Sequence, residues 1–292
     1  MPNQPYNSAS VHCHSTYCDG KNSLAEMASA AVAQGITTLG FSGHSLTFED
    51  TPYGMSALEF ARYSADIKAL QTQYVGKLDI LYGMEWDYYS TALHDATEDD
   101  TDPNLVHAPN IDLDYWVGSV HCLRHPHTGV YYTIDWHDAM LQRCIDEGFD
   151  GDGLAAAEAY FATIAKMASF RPTILGHFDI IKKLNTNGKF FDENHPRYLA
   201  AALSALSAAK QYGCVLEVNT GGVYRGYRTD FYPSDRLLAA WQKMGGQVTI
   251  TADAHSTDSL LFGYDEAAET IRAAGFQQVL VLKKDGFVAS PL

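Results

Sequence analysis

The run SVHCHSTYCDG, residues 10–20, opens on small and apolar positions, closes on two histidines spaced two apart, and breaks into a polar turn carrying Asp19 and Gly20. In an extended strand residues i and i+2 share a face, so His12 and His14 point the same way where the strand ends. The design recurs along the chain: TTLGFSGHS at 37–45, LDILYGMEW at 78–86, YWVGSVH at 115–121, TILGHFD at 173–179, CVLEVNT at 214–220 and QVTITADAH at 247–255. We read strands over 10–14, 37–42, 78–85, 115–121, 173–177, 214–219 and 247–252, with an eighth at 277–282. Several are apolar on both faces, as parallel strands covered by helices are.

Helical patterns fill the intervals. Ser23 with Glu26, and Ser56 with Glu59, have capping-box spacing, and alanine-rich runs at 24–33, 154–169 and 198–210 are strong helix formers. Strand and helix in regular alternation predict an α/β barrel, of eight strands on this count, as a single domain over residues 1–292. An acidic stretch over 88–114 reads as a long surface loop, and an insertion at 123–132 is expected to overhang the mouth of the barrel.

Composition narrows the classes. The chain of 292 residues is 46% hydrophobic, enough for a large core, and carries a net charge of −15. That charge argues against nucleic acid as a partner, because backbone binding requires basic patches. No segment has the roughly 18 apolar residues of a membrane span, and Met1 to Ser10 lack the pattern of a secretory signal. The expectation is a cytoplasmic protein. The five cysteines (Cys13, Cys18, Cys122, Cys144, Cys214) show no paired spacing and read as free thiols, small and buried rather than metal-binding.

The chemistry lies at the strand ends. His12, His14, His44, Glu85, His121, His177, Asp179, Asp253 and His255 stand at or just past the C-terminal ends of the predicted strands. In a parallel barrel those ends converge on one mouth. A lone His-x-His is a weak signal, and six of the twelve histidines at such positions make a strong one. Imidazole nitrogen with carboxylate oxygen, and no thiolate set, suits Zn²⁺, Fe²⁺ or Mn²⁺ rather than Ca²⁺. So many ligands exceed one ion, and two or three divalent ions sharing a carboxylate would use them.

With those residues in view, the sequence resembles the polymerase and histidinol phosphatase (PHP) superfamily, and within it the histidinol-phosphatase group. The resemblance rests on residues 12–20, 40–45, 83–86, 118–121, 175–179, 217–220 and 252–255, taken in order over nearly the whole chain. It implies a distorted (β/α)7 barrel, TIM-barrel-like, and a trinuclear site. Carried over residue by residue, His12, His14, Glu85 and Asp253 hold the first ion; Glu85 bridges to a second with His121 and His177; Asp19, His44 and His255 take the third. Some relatives have histidine where this chain has Asp19, which keeps a ligand and adds negative charge.

The activity so implied is hydrolysis of a small phosphomonoester, L-histidinol phosphate before others, by hydroxide formed on the ions, whose charge also screens the phosphate oxygens. Glu85 would bridge, and Asp253 or His255 would protonate the leaving oxygen. Arg124 and Arg225 are candidates for a phosphate clamp, with Arg228 read as a surface residue and Asn219 as a substrate contact or a strand cap. His94, His107, His125, His127, His137 and His195 read as loop or helix-start residues, and Trp86, Tyr89, Trp116 and Tyr132 as packing. The rival readings are a phosphoesterase acting on nucleotides, a non-catalytic metal-binding module, and a carbon–nitrogen hydrolase. The last would want a lysine at a central strand end, which the sequence lacks.

Overall fold

Ser23 and Ser56 each start a helix as their spacing predicts: the Glu26 and Glu59 amides donate to the serine hydroxyls at 3.3 Å, and the serine amides donate back to the glutamates at 2.7 Å. The computed structural model describes residues 5–45, 53–88 and 112–292. In order the elements are β1 (Ala9–Ser10), α1 (Leu24–Ala33), β2 (Thr38–Phe41), α2 (Ala57–Gln73), β3 (Asp79–Asp87), β4 (Tyr115–Ser119), β5 (Cys122–Arg124), β6 (Tyr131–Thr133), α3 (Asp138–Gly148) and α4 (Gly153–Ser169). There follow β7 (Ile174–Leu175), α5 (Pro196–Tyr212), β8 (Val215–Asn219), α6 (Gly221–Tyr224), α7 (Asp235–Lys243), β9 (Gln247–Thr251), α8 (Tyr264–Ala273), β10 (Gln278–Lys283) and β11 (Gly286–Pro291). Of the loop expected over 88–114, residues 89–111 lie outside the described residues, and with them Tyr89, His94 and His107.

Seven strands form one parallel sheet in the order β1-β2-β3-β4-β7-β8-β9, paired as Leu39 with Ile80, Val117 with Ile174, and Val218 with Ile250. The sheet curls until its edges meet. The His14 amide donates to the Ala254 carbonyl and the Ala254 amide to the His12 carbonyl, both at 2.8 Å, so the first and last strands join just past their C-terminal ends. This is a distorted (β/α)7 barrel. The run read as an eighth barrel strand is strand, but it pairs antiparallel with β11 through a two-residue turn at Lys284 and Asp285. A turn that short can only make a hairpin, whereas a parallel partner needs a crossover. The hairpin packs Val279 and Val281 near Ala9, Val11 and Ile250, on the side where β1 and β9 do not pair. Lys283 pins it by donating to the Ser8 and Thr37 hydroxyls at 2.8 and 3.0 Å.

Side chains fill the barrel rather than leaving a pore. Tyr115 lies across the interior, where a Cβ at Gly83 would come within 2.3 Å of its ring; glycine there is a packing requirement. Outside, α4 lays Phe161, Ile164 and Met167 against the sheet, all but fully buried; each such side chain contributes about 1.5–3 kcal/mol over an exposed one. The insertion at 123–132 forms the β5–β6 hairpin, whose return strand runs toward the barrel mouth.

Candidate metal centre and cleft

Nine residues from positions 12 to 255 meet where the strands end. They form four overlapping groups whose donor atoms lie within 4.8 Å of one another: His14, Asp19, His44 and His255; His12, Glu85 and His177; His12, His14 and Asp253; and His44, Glu85 and His121. Glu85 is the hub. Its Oε2 lies 3.3 Å from His12 Nε2, 3.3 Å from His14 Nε2 and 3.2 Å from His44 Nδ1. Its Oε1 lies 2.9 Å from His177 Nε2 and accepts from Ser119 Oγ at 2.6 Å.

Backbone geometry aims the outer members. Asp19 is carried by a turn in which Gly20 donates to the Ser15 carbonyl at 3.0 Å, and a Cβ at Gly20 would sit 2.4 Å from the Ser15 nitrogen. Strand geometry does not persist through Asp253 and His255: β9 ends at Thr251, and Asp253 takes the left-handed region at φ 48°, a conformation that costs a non-glycine residue energy and marks functional sites. Both side chains still reach the cluster. Asp253 Oδ1 is 3.3 Å from His14 Nε2, and His255 Nε2 is 3.2 Å from Asp19 Oδ2. Arg225 holds this corner, donating through Nη2 to Asp253 Oδ2 at 2.8 Å and through Nη1 to the Asp253 carbonyl at 3.2 Å.

Two carboxylates that sequence reasoning passed over orient the imidazoles. Glu217 is fully buried and accepts four hydrogen bonds: from His12 Nδ1 (2.7 Å) and Thr251 Oγ1 (2.8 Å) on Oε2, and from the His177 amide (2.6 Å) and Asn219 Nδ2 (2.8 Å) on Oε1. Asp87 accepts from His121 Nδ1 and lies 3.5 Å from His44 Nδ1. A carboxylate on one ring nitrogen fixes the tautomer and leaves the other to a ligand. The signal was present in the sequence, as an acid inside an apolar strand at 217 and an acid two residues past Glu85, on the same strand face.

The charges are strongly coupled. Burial works against the Glu85 carboxylate, but His44, His12 and His121 hold its pKa well below the usual range; for Asp253 burial is outweighed by Arg225 and His12. Against burial, Glu217, Glu85 and Asp253 raise His12 well above an ordinary histidine, and Asp87 and Glu85 raise His121 to about 10. His255 is lowered, by burial and by the neighbouring His14.

The donor set fits divalent ions. His12 Nε2, His14 Nε2, His44 Nδ1 and Asp19 Oδ1 are buried without a hydrogen-bond partner among the described residues, and buried polar atoms ordinarily have one. All four face the cluster and are nitrogen or oxygen, the ligands of zinc, iron or manganese. The five cysteines are free, and only Cys18 approaches, its Sγ 3.5 Å from His14 Nδ1.

Above the cluster opens a cleft walled by Tyr53, Asp135, Trp136, Lys183, Arg225 and Tyr227. Arg225 is thus in the cleft wall. Arg124 is not: it stays in the β5–β6 hairpin against Gly129 and does not line the cleft. Asn219 is fully buried, holding Glu217 and accepting from the Gly221 amide at 2.9 Å, the capping alternative of its sequence reading. Arg228 pairs with Glu193 and Asp230. His125 accepts amides of its own turn, His195 accepts from the Arg197 amide at the start of α5, and His137 precedes α3. Trp116 and Tyr132 are buried and Trp86 half-buried, as packing residues are.

A family model described as the PHP domain matches residues 10–221, a span holding seven of the nine cluster residues. The chain belongs to the PHP domain family. Among curated relatives, a "probable histidinol-phosphatase" of Deinococcus radiodurans is 29% identical over 92% of this chain and 94% of its own, and the histidinol-phosphatase of Bacillus subtilis is 26% identical over 88% and 97%. The solved histidinol phosphate phosphatase of Lactococcus lactis, in complex with zinc, L-histidinol and phosphate, superposes with a TM-score of 0.68 at 17% identity, over 97% of this chain and 99% of that one. At that identity the likeness bears on the PHP fold. No helix among the described residues is long and apolar enough to cross a membrane.

Proposed function

We propose that this chain is a metal-dependent phosphoric monoester hydrolase acting on L-histidinol phosphate, releasing L-histidinol and phosphate. The observation that carries the reading is the convergence of nine nitrogen and oxygen donors, four with buried atoms that lack a partner among the described residues, beneath an open cleft. Full-length relatives named for this activity supply the substrate.

His12, His14, Glu85 and Asp253 are assigned to one ion, Glu85 with His121 and His177 to a second, and Asp19, His44 and His255 to a third. When filled, these sites would supply Lewis acidity: a lower pKa for water in the site and positive charge opposite the phosphoryl oxygens. Everything else falls to the protein. Glu217 and Asp87 hold the imidazoles in the ligating tautomer. Arg225 fixes Asp253 and stands in the cleft wall where a phosphoryl group enters. Asp253 and His255 border the same cleft, but Asp253 is held ionised by Arg225 and His12 and His255 is lowered by burial and His14, so the departing alkoxide is assigned its proton from water.

The test is phosphate release from L-histidinol phosphate and a panel of nucleoside monophosphates, with metal content measured on the same sample. The histidinol ester is expected to be the preferred substrate, and Glu85→Gln to lose occupancy and turnover together. A metal-loaded protein that releases phosphate from none of them refutes the reading, and a preference for the nucleotides replaces its substrate.

A further inference from the structure

The cleft wall facing the cluster carries a second constellation. Asp135 follows β6, one residue past Ile134, whose amide donates to the His121 carbonyl at 3.0 Å. Its carboxylate lines the same cleft as Glu85, His121 and Asp253 while belonging to none of the donor groups. Lys183 donates to Oδ2 at 3.0 Å and rests 5.0 Å over the Tyr227 ring; among the described residues Oδ1 has no hydrogen bond. Asp135 is only 8% exposed, and what exposure it has is to the cleft. Burial opposes its charge, and Lys183, His121 and His177 more than offset this, so it stays ionised. Beside it Trp136 is 44% exposed and lies 6.2 Å from Tyr53, whose ring is 4.8 Å from His44.

We propose that Asp135 is a binding subsite for a primary ammonium on the carbon next to the ester carbon of the substrate, with Trp136 and Tyr53 forming the wall along which the rest of the molecule lies. This rests on the phosphomonoesterase reading and deepens it. A carboxylate offers about four acceptor positions, so Lys183 can orient Asp135 through one oxygen and leave the other to a ligand. Lys183 itself is not the anion site, because its charge is already engaged by Asp135 and the face of Tyr227. The phosphoryl group belongs over the cluster, and Asp135 is close enough to feel His121 and His177. Only a cation a few bonds from the ester oxygen can reach both. In the substrate proposed above, the amine on the carbon next to the ester carbon is such a cation.

The experiment compares kcat/KM for L-histidinol phosphate and for its N-acetyl derivative, identical but without the ammonium, in metal-loaded wild type and Asp135→Asn, with p-nitrophenyl phosphate as the ester lacking both groups. The ratio within one sample is independent of the fraction of active protein. Wild type is expected to prefer the free amine by about 10–100-fold, the worth of a charge-assisted hydrogen bond. Asp135→Asn should bring that preference down to about threefold or less, and Asp135→Ser serves the same comparison should the asparagine variant not fold. A preference that survives in the variant, or a wild type indifferent to the amine, overturns the subsite. A wild type that hydrolyses none of the three esters overturns the underlying activity instead.

Discussion

Replacing Glu217 with glutamine changes no shape and one charge, yet the four hydrogen bonds around it predict a large effect on metal binding. Both oxygens of Glu217 accept from two donors each. An amide must turn its NH₂ toward one of those pairs. Facing His177 and Asn219 it meets a backbone N–H that cannot reverse, and an asparagine whose oxygen is committed to the Gly221 amide. Facing His12 and Thr251 it meets two groups that can adapt, since a hydroxyl rotates and an imidazole changes tautomer. The second arrangement wins. It moves the His12 proton to Nε2, the atom that faces Glu85 and Asp253, and so takes His12 away from the ion. Affinity should fall about 10–100-fold, as for other changes behind a metal ligand, and the metal-free protein should lose about 1.5–3 kcal/mol with its charge-assisted hydrogen bonds. Competition with a calibrated chelator gives the affinity, denaturant unfolding of the stripped protein the stability, and imidazole nitrogen shifts the tautomer. Unaltered affinity, with His12 still protonated on Nδ1, would refute the argument.

Arg225→Ala should lower kcat/KM about 10–100-fold by freeing Asp253 and removing a charge from the cleft, and Arg225→Lys should restore little, because the present contact uses two nitrogens of one planar group; steady-state kinetics with metal content checked decides it. For the metal-free protein the coupled charges set a window of stability. Glu85 and Asp253, depressed when folded, stabilise above the ordinary carboxylate range and lose that contribution as pH falls through their folded values. His121, raised to about 10, contributes fully below its usual 6.5 and loses this as pH rises from there to 10. Thermal unfolding in chelator should therefore peak between about pH 5 and 7 and decline toward pH 10, where a flat profile would count against the assignment. Metal should reverse that alkaline decline, since ions displace the imidazole protons and bind more tightly as pH rises.

The barrel was legible because the strands recur with alike ends and because helical stretches, some alanine-rich and two opened by capping boxes, separate them; α1 falls on the predicted residues 24–33. Eight of the nine donors were legible for the same reason, as strand ends in a parallel barrel can meet only at one mouth; Asp19, in the turn beyond the first strand, came from the family resemblance alone, and Asp179, read at a strand end, turns away to Lys182 and the Ser234 amide. The eighth strand was assigned to the wrong partner because an apolar run carries no mark of direction; the Lys284–Asp285–Gly286 turn after it held that information. Asp135 and Trp136 were not legible at all. They reach the cleft from the far side of an inserted hairpin, where no strand register places them, and the hairpin's path depends on tertiary packing. Arg124 looked like a cleft residue because it follows His121 by three positions, and β5 carries it away along the hairpin.

The seam between His12, His14 and Ala254 has a consequence for biosynthesis. Because the first and last barrel strands join only beside the ligands, a chain still emerging from the ribosome has His12 and His14 long before Asp253 and His255 exist to complete their surroundings. On the proposed assignment, a stalled or prematurely released fragment ending before residue 253 lacks the donors that close the seam and should hold ions weakly.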